Sequence, residues 1–416
     1  TMAQLPYHYG VKVRIFPSNE QKRLIKLNSD ASRFVYNEMN GMNRELFWLR
    51  QVKTPILLIQ QRISTLEARL KSPATGISNI HGWLNNPDLD SLMKANAIKN
   101  YHAAWNLFRK VHRAGTPVFH KKGIEQRYQT SCLYISKTAN PNMMNGSVRL
   151  LDRHYLQLPK LGRVRFKGMP DKLVNQSALI RIGTTTISMD ATGRYYVSMQ
   201  LGSEQPFVDN VVARPAPVGI DLNTDNFMTD SDGNVVANPR YYRSIKNQLA
   251  KAQRKLSRRQ LRAKKEHRPL HEAQNYQKQR TVVANIQRKV ANRRRNFLHF
   301  VSTALIKNHD LVVAEELRSK NMLQNHALAM SISDVGWRTL LGMLAYKADL
   351  YGRKFVSVNP RNTTQTCSDC GFVMGTDNTA KLTLADRKWT CPKCSTYHVR
   401  DHNAAKNILA KGLASN

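Results

Sequence analysis

The sequence predicts a multi-domain protein of mixed class, in which a β-barrel domain and a helical insert precede a larger α/β domain. Helical spacing dominates residues 18–113, and short alternating runs separated by Gly and Pro fill residues 117–205. Beyond residue 216, two apolar strands each end in carboxylates. A chain of 416 residues with 41% apolar content is long enough to bury two or three cores.

The charge balance predicts a polyanionic partner. Lys and Arg number 65 against 28 Asp and Glu, a formal net charge of +37. Nucleic acid is favoured over a membrane, since no apolar run reaches the roughly 18 residues of a spanning helix. The opening Thr1–Leu5 runs into a polar, aromatic segment without an apolar h-region, so we expect a cytoplasmic, nucleoid-associated location in a prokaryote.

The first part of the chain is expected to be a small β-barrel or meander interrupted by helices. Residues Tyr7–Phe16 alternate apolar and polar side chains and stop at Pro17, which predicts a strand with one solvated face. We expect this strand to pair with the later alternating runs. The β-barrel domain then comprises residues 1–17 and 117–210, and residues 18–116, which begin at the helix cap Ser18, form a helical insertion.

The second part, residues 216–416, is expected to be the α/β domain. Arg214–Pro217 reads as a linker, and Val218–Leu222 as the first strand of the new domain. A hairpin with an Asp-Gly turn follows at Ser231–Asn234. A strongly basic helical pair then extends from residue 246 to residue 295.

This basic pair is unusual because Lys and Arg recur along it while Glu266 and Glu272 are its two acids. An ordinary solvated helix face mixes both signs, so contact with a nucleic-acid backbone is the favoured interpretation. Together with two lysines near residue 120, the candidates for such contact are Lys121, Lys122, Arg254, Lys255, Arg258, Arg259, Arg293 and Arg294.

Three acids stand where elements of the α/β domain begin or end. Asp221 ends an apolar strand, Glu315 ends a second one, and Asp401 begins a helix. Singly, each is more often a turn or helix-start residue. Their order matches an RNase H-like sheet, in which an acid from each of these places meets at one edge, so the set predicts a site for two Mg²⁺ ions that act on a phosphodiester. The nearby acids Asp225, Asp230 and Asp232 lie in the hairpin, where a structural role is expected.

The cysteines predict a second metal. Cys367 and Cys370 form one Cys-x-x-Cys pair, Cys391 and Cys394 form another, and 20 residues separate the pairs. This spacing is typical of a tetrahedral Zn²⁺ site, and four thiolates leave no open coordination position, so the zinc is expected to be structural. His398 and His402 are competing ligands in principle, but the cysteines already complete the shell.

The residues also resemble a known family. Val13–Pro17, Gly219–Asp221, Val358–Gly371 and Arg400–Leu409 are similar to segments of the TnpB proteins of insertion sequences, relatives of compact type V CRISPR effectors and of Fanzor nucleases. The resemblance spans nearly the whole chain, and Val358–Gly371 is its most specific stretch.

The resemblance implies a RuvC-like nuclease domain at 216–416, a zinc-binding insertion at 362–398, a β-barrel wedge domain and a helical recognition domain. It implies that Asp221, Glu315 and Asp401 are the catalytic acids, and it leaves open whether Glu315 or Glu316 faces the metal. Asn223 and Val399 depart from the family pattern without removing a ligand.

The partners implied by the resemblance are a guide RNA from the transposon end and double-stranded target DNA beside a short adjacent motif. Base pairing would select the target sequence, and the protein would recognise the shape and charge of the nucleic acid. No protein oligomer is required.

Three other functions remain open. The first is that of a cleavage-deficient RNA-guided repressor, which the presence of all three acids disfavours. In the second the chain is a transposase-like protein or a plain DNA-binding accessory without a guide, which the lack of a catalytic Tyr or helix-turn-helix signature and the presence of the RuvC-like acids disfavour. The third is a type V CRISPR effector, which differs by genomic neighbourhood and not by chemistry.

Overall fold

The computed structural model describes residues 2–54, 56–111, 114–135, 140–209, 216–223, 225–316, 336–383 and 385–415. The chain folds as two compact units, Thr1–Phe207 and Val208–Asn416. The first two residues of the expected linker Arg214–Pro217 lie outside the described residues. None of the helices in these ranges combines the length and apolarity needed to cross a bilayer.

The helices of the first unit follow its N-terminal strand. They are α1 (Asn19–Arg50), α2 (Leu57–Lys71), α3 (Pro73–Ile80) and α4 (Ser91–Lys110), with a short α5 (Asp171–Asn175) later in the unit. Ser18 caps α1 as expected: its hydroxyl accepts from the Gln21 backbone N–H at 3.2 Å, and the Gln21 side chain accepts from the Ser18 N–H at 2.9 Å. This capping box fixes the point at which the chain changes from strand to helix.

A seven-stranded antiparallel sheet makes up the rest of this unit. Its strands are β1 (Tyr7–Phe16), β2 (Gln126–Ser131), β3 (Arg149–Leu150), β4 (Tyr155–Leu158), β5 (Gly162–Lys167), β6 (Ile180–Met189) and β7 (Tyr195–Ser203). The order is β2-β6-β7-β1-β5-β4-β3. The N-terminal strand therefore pairs with the later strands, as its alternation predicts, and lies between β7 and β5.

The sheet differs from the expected closed barrel. It is open, with β2 and β3 at its two edges among the described strands, and so forms a half-barrel. Helices cover the β2 edge instead of another strand: the Ser29 hydroxyl of α1 accepts from the Arg127 backbone N–H at 2.8 Å, and Asn96 of α4 donates to the Ser131 hydroxyl at 3.2 Å. Side chains on the helices therefore satisfy an edge that barrel closure would otherwise have to satisfy.

The second unit is built on a five-stranded mixed sheet. Its elements are β8 (Val218–Asp221), β9 (Asn226–Asp230), β10 (Val235–Ala237), α6 (Tyr241–Lys265), α7 (Gln274–Asn308), β11 (Leu311–Glu315), α8 (Trp337–Tyr351), β12 (Lys354–Val358), β13 (Lys388–Thr390), β14 (Tyr397–Val399) and α9 (Arg400–Ala414). The sheet order is β10-β9-β8-β11-β12, and β13 pairs with β14 separately. β9 runs antiparallel to β8 and β10, whereas β11 is parallel to both β8 and β12.

Helices cover both faces of this sheet. One face packs against α7 and α8 through a core that includes Ile220, Phe227, Leu305, Val312 and Leu340. On the other face, Ile408 of α9 packs with Leu311, Val313 and Val358. Helix α9 lies so close to β8 that a Cβ at Gly219 would be 2.3 Å from the Ala405 carbonyl oxygen, so glycine is required there.

Candidate active site and metal centre

The three candidate acids lie where the sheet and α9 come together. Asp221 ends β8 and Glu315 ends the neighbouring parallel strand β11, so both side chains leave the sheet at the same edge. Asp401 lies in the first turn of α9, the helix that packs across β8. The sequence-predicted acids are therefore brought to one region of the second unit.

Burial raises the pKa of two of these acids, and the charges of the other two acids add to the effect at Asp221. Asp221 is buried, and this burial, followed by the charges of Glu315 and Asp401, raises its pKa to about 7, against lowering contributions from Asn223 and Arg400. Burial also raises the pKa of Glu315, although the Thr363 hydroxyl and Lys411 act in the opposite direction. The acids thus interact electrostatically.

The carboxylates are nevertheless more widely spread than a single metal ion would require. A single metal ion is usually held by three or more side chains whose ligand atoms lie close together. Within the described ranges, the four cysteines meet a limit of 4.8 Å between all ligand atoms, and the three acids do not. Ligands of a two-metal site can be farther apart, up to about 8 Å, because the ions are themselves about 4 Å apart and each ligand adds about 2 Å. The three acids do not form such a single-ion group in the free protein.

The adjacent acids Glu315 and Glu316 face different surroundings. Glu315 is partly buried and accepts a hydrogen bond from the Thr363 hydroxyl. Glu316 is exposed, and its backbone N–H donates to the Val358 carbonyl at 2.9 Å. The geometry favours Glu315 as the member of this pair that faces the other acids.

Three side chains near the acids were not identified from the sequence as parts of the site. Thr363 contacts Glu315, and Arg387 contacts Asp225 while its guanidinium lies 3.9 Å from the Asp401 carboxylate. Lys411 donates to the carbonyls of Asn359 and Arg361 close to Glu315. Thr363 lies within the most specific stretch of the resemblance, but nothing in its residue type indicates a contact to an acid 48 positions earlier.

Asn223, noted as a departure from the family pattern, lies next to Asp221. Its Oδ1 accepts from the Asn226 backbone N–H at 2.8 Å, which leaves the amide group on the side of the aspartate. The Nδ2 is buried beside the Asp221 carboxylate, and the Asn223 side chain lowers the pKa of Asp221 by hydrogen bonding to it. A buried donor beside a carboxylate suits a site where water or substrate oxygen binds.

The four cysteine sulfurs are arranged for a tetrahedral metal. The Cys367 and Cys394 sulfurs are 3.7 Å apart, and those of Cys370 and Cys391 are 3.6 Å apart. Zn–S bonds of about 2.3 Å in a tetrahedron place sulfurs about 3.8 Å apart, so the residues fit zinc.

The backbone of the two Cys-x-x-Cys turns follows one pattern. Cys367 N–H donates to the Phe372 carbonyl at 2.8 Å and Gly371 N–H to the Cys367 carbonyl at 2.9 Å. In the second turn, Cys391 N–H donates to Thr396 and Ser395 N–H to Cys391, both at 2.9 Å. Each turn thereby presents both its thiols on one side.

His398 and His402, considered as alternative ligands, have other partners. The Nε2 of the buried His398 lies 3.1 Å from the Cys367 sulfur, and its ring packs on Trp389. His402 Nε2 is 3.0 Å from the Ser231 carbonyl. The group that satisfies the metal-site geometry contains the cysteines alone.

The basic candidates are solvent-accessible. Helices α6 and α7 form the expected pair and pack through Leu249, Ala252 and Val283. Among the candidates on this pair and near residue 120, those that are exposed are Lys121, Lys122, Arg254, Lys255, Arg258 and Arg293, and those that are partly buried are Arg259 and Arg294. Their interaction with nucleic acid stays a prediction.

Three family models match the chain. They are described as "Probable transposase" at residues 200–326, "Cas12f1-like, TNB domain" at 337–408 and "Helix-turn-helix domain" at 8–46. The last description runs against our expectation that no such signature is present. In the structure, residues 8–46 form most of β1 and a single long helix α1, because the capping box at Ser18 starts one uninterrupted helix.

Curated relatives cover different shares of the chain. A "Putative RNA-guided DNA endonuclease" of Streptomyces pristinaespiralis is 39% identical over 233 residues, 56% of this chain and 53% of the relative, so the match spans about half that protein's length. The "Putative RNA-guided DNA endonuclease InsQ" of Escherichia coli (strain K12) is 30% identical over 350 residues, 80% of this chain and 76% of the relative. The "TnpB-like protein L79" of Acanthamoeba polyphaga mimivirus is 31% identical over 132 residues, 30% of this chain and 24% of that protein.

A solved structure titled "Cryo-EM structure of the Cas12f1-sgRNA-target DNA complex" aligns with 97% of this chain and 98% of its own, at 14% identity and a TM-score of 0.48. The family of this chain is shown by its sequence match to the Escherichia coli protein, which covers 76% of that protein. The chain belongs to the TnpB family.

Proposed function

We propose that this protein is a transposon-encoded RNA-guided DNA endonuclease that hydrolyses phosphodiesters in one RuvC-like site. The observation that carries the proposal is the meeting of Asp221, Glu315 and Asp401 at one edge of the second sheet, with the pKa of Asp221 raised to about 7 by burial and by the other two acids. Perturbed acids of this kind cluster at functional sites. The names of the relatives support the same activity.

Two Mg²⁺ ions would be held by the carboxylates of Asp221, Glu315 and Asp401. When bound, such ions stabilise the attacking and leaving oxygens of a phosphodiester. The protein's own side chains orient the acids: the Thr363 hydroxyl holds one oxygen of Glu315, and Arg387 lies beside Asp401. The Asn223 side chain next to Asp221 favours the charged form of that acid.

The proposed partners are a guide RNA from the transposon end and double-stranded target DNA. A net charge of +37 and the exposed cations of α6 and α7 support an extended polyanionic partner. In this proposal the wedge domain (1–17 and 117–210), the recognition domain (18–116) and the zinc insertion (362–398) of the nuclease domain (216–416) have the roles that the resemblance implies. The active species needs no protein oligomer.

Plasmid cleavage tests the proposal. Protein co-expressed with its native flanking DNA is given targets with a randomised flank in Mg²⁺, and Asp221→Ala is compared with Asp232→Ala, a matched control on the exposed hairpin. We expect guide-dependent cleavage that falls by at least about 10³-fold in Asp221→Ala and stays unchanged in Asp232→Ala. Cleavage that survives in Asp221→Ala overturns the assignment of the site, and guide-dependent binding without cutting indicates the repressor function instead.

A further inference from the structure

The segment Thr363–Ser368, which contains the first predicted zinc ligand, is tied to the helix that carries Asp401. Asn403 Nδ2 donates to the Thr366 carbonyl at 2.7 Å, and its Oδ1 accepts from the Ser368 N–H at 2.9 Å. The Asn403 carboxamide therefore contacts the residues on both sides of Cys367. It is 2% exposed, so these hydrogen bonds are shielded from water.

A second asparagine, one turn further along α9, makes the same kind of bridge. Asn407 Nδ2 donates to the Thr363 carbonyl at 2.8 Å and to the Thr366 carbonyl at 2.7 Å. Residues four apart lie on the same helix face, so Asn403 and Asn407 together grip the segment Thr363–Ser368. This asparagine clamp, Asn403 with Asn407, joins the zinc-binding turn to α9.

Each end of the clamped segment reaches a functional group. At one end the Thr363 hydroxyl donates to Glu315, and at the other Cys367 is a ligand of the predicted zinc site. The zinc-binding segment then returns through β14, which continues without a break into α9 and Asp401. Arg387, just before β13, adds a contact near Asp401 through its guanidinium.

We infer that the asparagine clamp makes the zinc site a positioning device for the carboxylates, so that zinc binding strengthens divalent-metal binding by Glu315 and Asp401. Without zinc the turn at Cys367 is held by backbone hydrogen bonds and by a small core around Trp389, which is less than a segment of this length needs to stay folded by itself. Through the hydrogen bonds of the clamp, zinc binding at the turn also fixes the positions of Thr363 and of the start of α9. Asn403, Asn407 and Thr363 are positioning residues in this scheme, which rests on the proposed function.

The coupling is measured with Mn²⁺ as the probe, by electron paramagnetic resonance titration of the full chain without nucleic acid. Zinc-loaded and zinc-stripped protein are compared, since hard Mn²⁺ has little affinity for thiolates. We expect zinc removal to weaken Mn²⁺ binding about tenfold, and Mn²⁺ to tighten zinc binding by the same factor because coupling is reciprocal. Equal Mn²⁺ affinity in both forms overturns the inference.

Variants separate the clamp from general stability. Asn407→Ala should keep its zinc yet bind Mn²⁺ as weakly as zinc-stripped wild type, with little further change on zinc removal. Lys406→Ala, an exposed neighbour on α9, should behave as wild type. Coupling that is unchanged in Asn407→Ala overturns the role of the clamp.

Thr363→Val provides a second variant should Asn407→Ala fail to fold, because it removes the hydroxyl that contacts Glu315 and leaves the clamp intact. We expect it to weaken Mn²⁺ binding in the zinc-loaded form, and Thr363→Ser to restore that binding. Asp221→Ala tells the two hypotheses apart. Mn²⁺ binding that Asp221→Ala does not reduce contradicts the proposed nuclease site, whereas binding that it abolishes but zinc does not affect contradicts the coupling alone.

Discussion

Asp221 illustrates how one residue can be destabilising in the free protein and still suit a metal site. Its carboxylate is 8% exposed and faces two further acids. Burial and like charge both disfavour ionisation, and they raise its pKa to about 7 from 3.8. A cation bound between the acids would relieve both penalties, and for this reason we propose that Asp221 binds metal.

The raised pKa predicts how stability depends on pH when no divalent metal is added. Between about pH 4 and 7 the folded protein holds a proton on Asp221 that the unfolded chain has lost, so the free energy of unfolding falls as pH rises through this window. Asp221→Asn should remove this fall and be more stable than wild type at pH 8 by roughly 2–4 kcal/mol. Urea unfolding of the zinc-loaded proteins at pH 5 and pH 8 measures it, and equal stability of the two proteins at pH 8 would contradict the assignment.

At the scale of elements, the packing of α7 on α8 includes a buried cation. Lys347 of α8 is 5% exposed and donates to the His299 carbonyl at 2.9 Å and to the hydroxyls of Ser302 and Thr303, both at 2.7 Å. Three acceptors from α7 match the three donors of an ammonium group. The pair of helices is thus held in register by hydrogen bonds as well as by the apolar core.

Burial lowers the pKa of Lys347 from 10.5 to about 8, and this predicts a second pH effect. Between pH 8 and 10.5 the unfolded chain holds a proton that the folded protein has released, so Lys347 makes stability rise with pH there, by roughly 1–3 kcal/mol. Lys347→Met should lack this contribution, while Lys354→Met, at an exposed position of β12, should retain it. Thermal unfolding of the three proteins at pH 8 and pH 10 tests the difference, and parallel pH profiles would refute it.

At the scale of the whole molecule, the main feature is the excess of positive charge. With 65 basic and 28 acidic residues, nucleic-acid binding should be largely electrostatic and therefore sensitive to salt. The exposed residues Arg254, Lys255 and Arg258 lie on α6, whose apolar side is already occupied by α7. The remaining face of α6 is available to a polyanion.

Neutralising these three residues should lower the salt dependence of RNA binding. Each lost phosphate contact reduces the slope of log K against log salt by about 0.7–0.9, so Arg254→Gln, Lys255→Gln and Arg258→Gln together should reduce it by about 2–3. Filter binding of the native flanking RNA across a salt series measures the slope. Replacing Arg254 and Arg258 by Lys preserves charge and should preserve the slope, and an unchanged slope in the Gln variant would exclude α6 from the interface.

The sequence by itself determined the features that depend on local pattern. The Cys-x-x-Cys spacing predicted a four-sulfur cluster, and apolar runs ending in acids predicted that Asp221 and Glu315 each end a strand. The helix cap at Ser18, the Asp-Gly hairpin and the basic helical pair were predicted for the same reason. Each of these follows from a sequence motif or a repeating pattern whose preference the tertiary structure did not override.

Only the tertiary structure decided which distant side chains meet. The contact of Thr363 with Glu315 and the bridges from Asn403 and Asn407 join positions 35 to 48 apart, and nothing in a Thr or an Asn indicates its partner at that distance. The open sheet arose in the same way, because helices took the place at β2 that barrel closure requires. Long-range hydrogen bonds are set by packing, and packing is a property of the whole fold and not of any one segment.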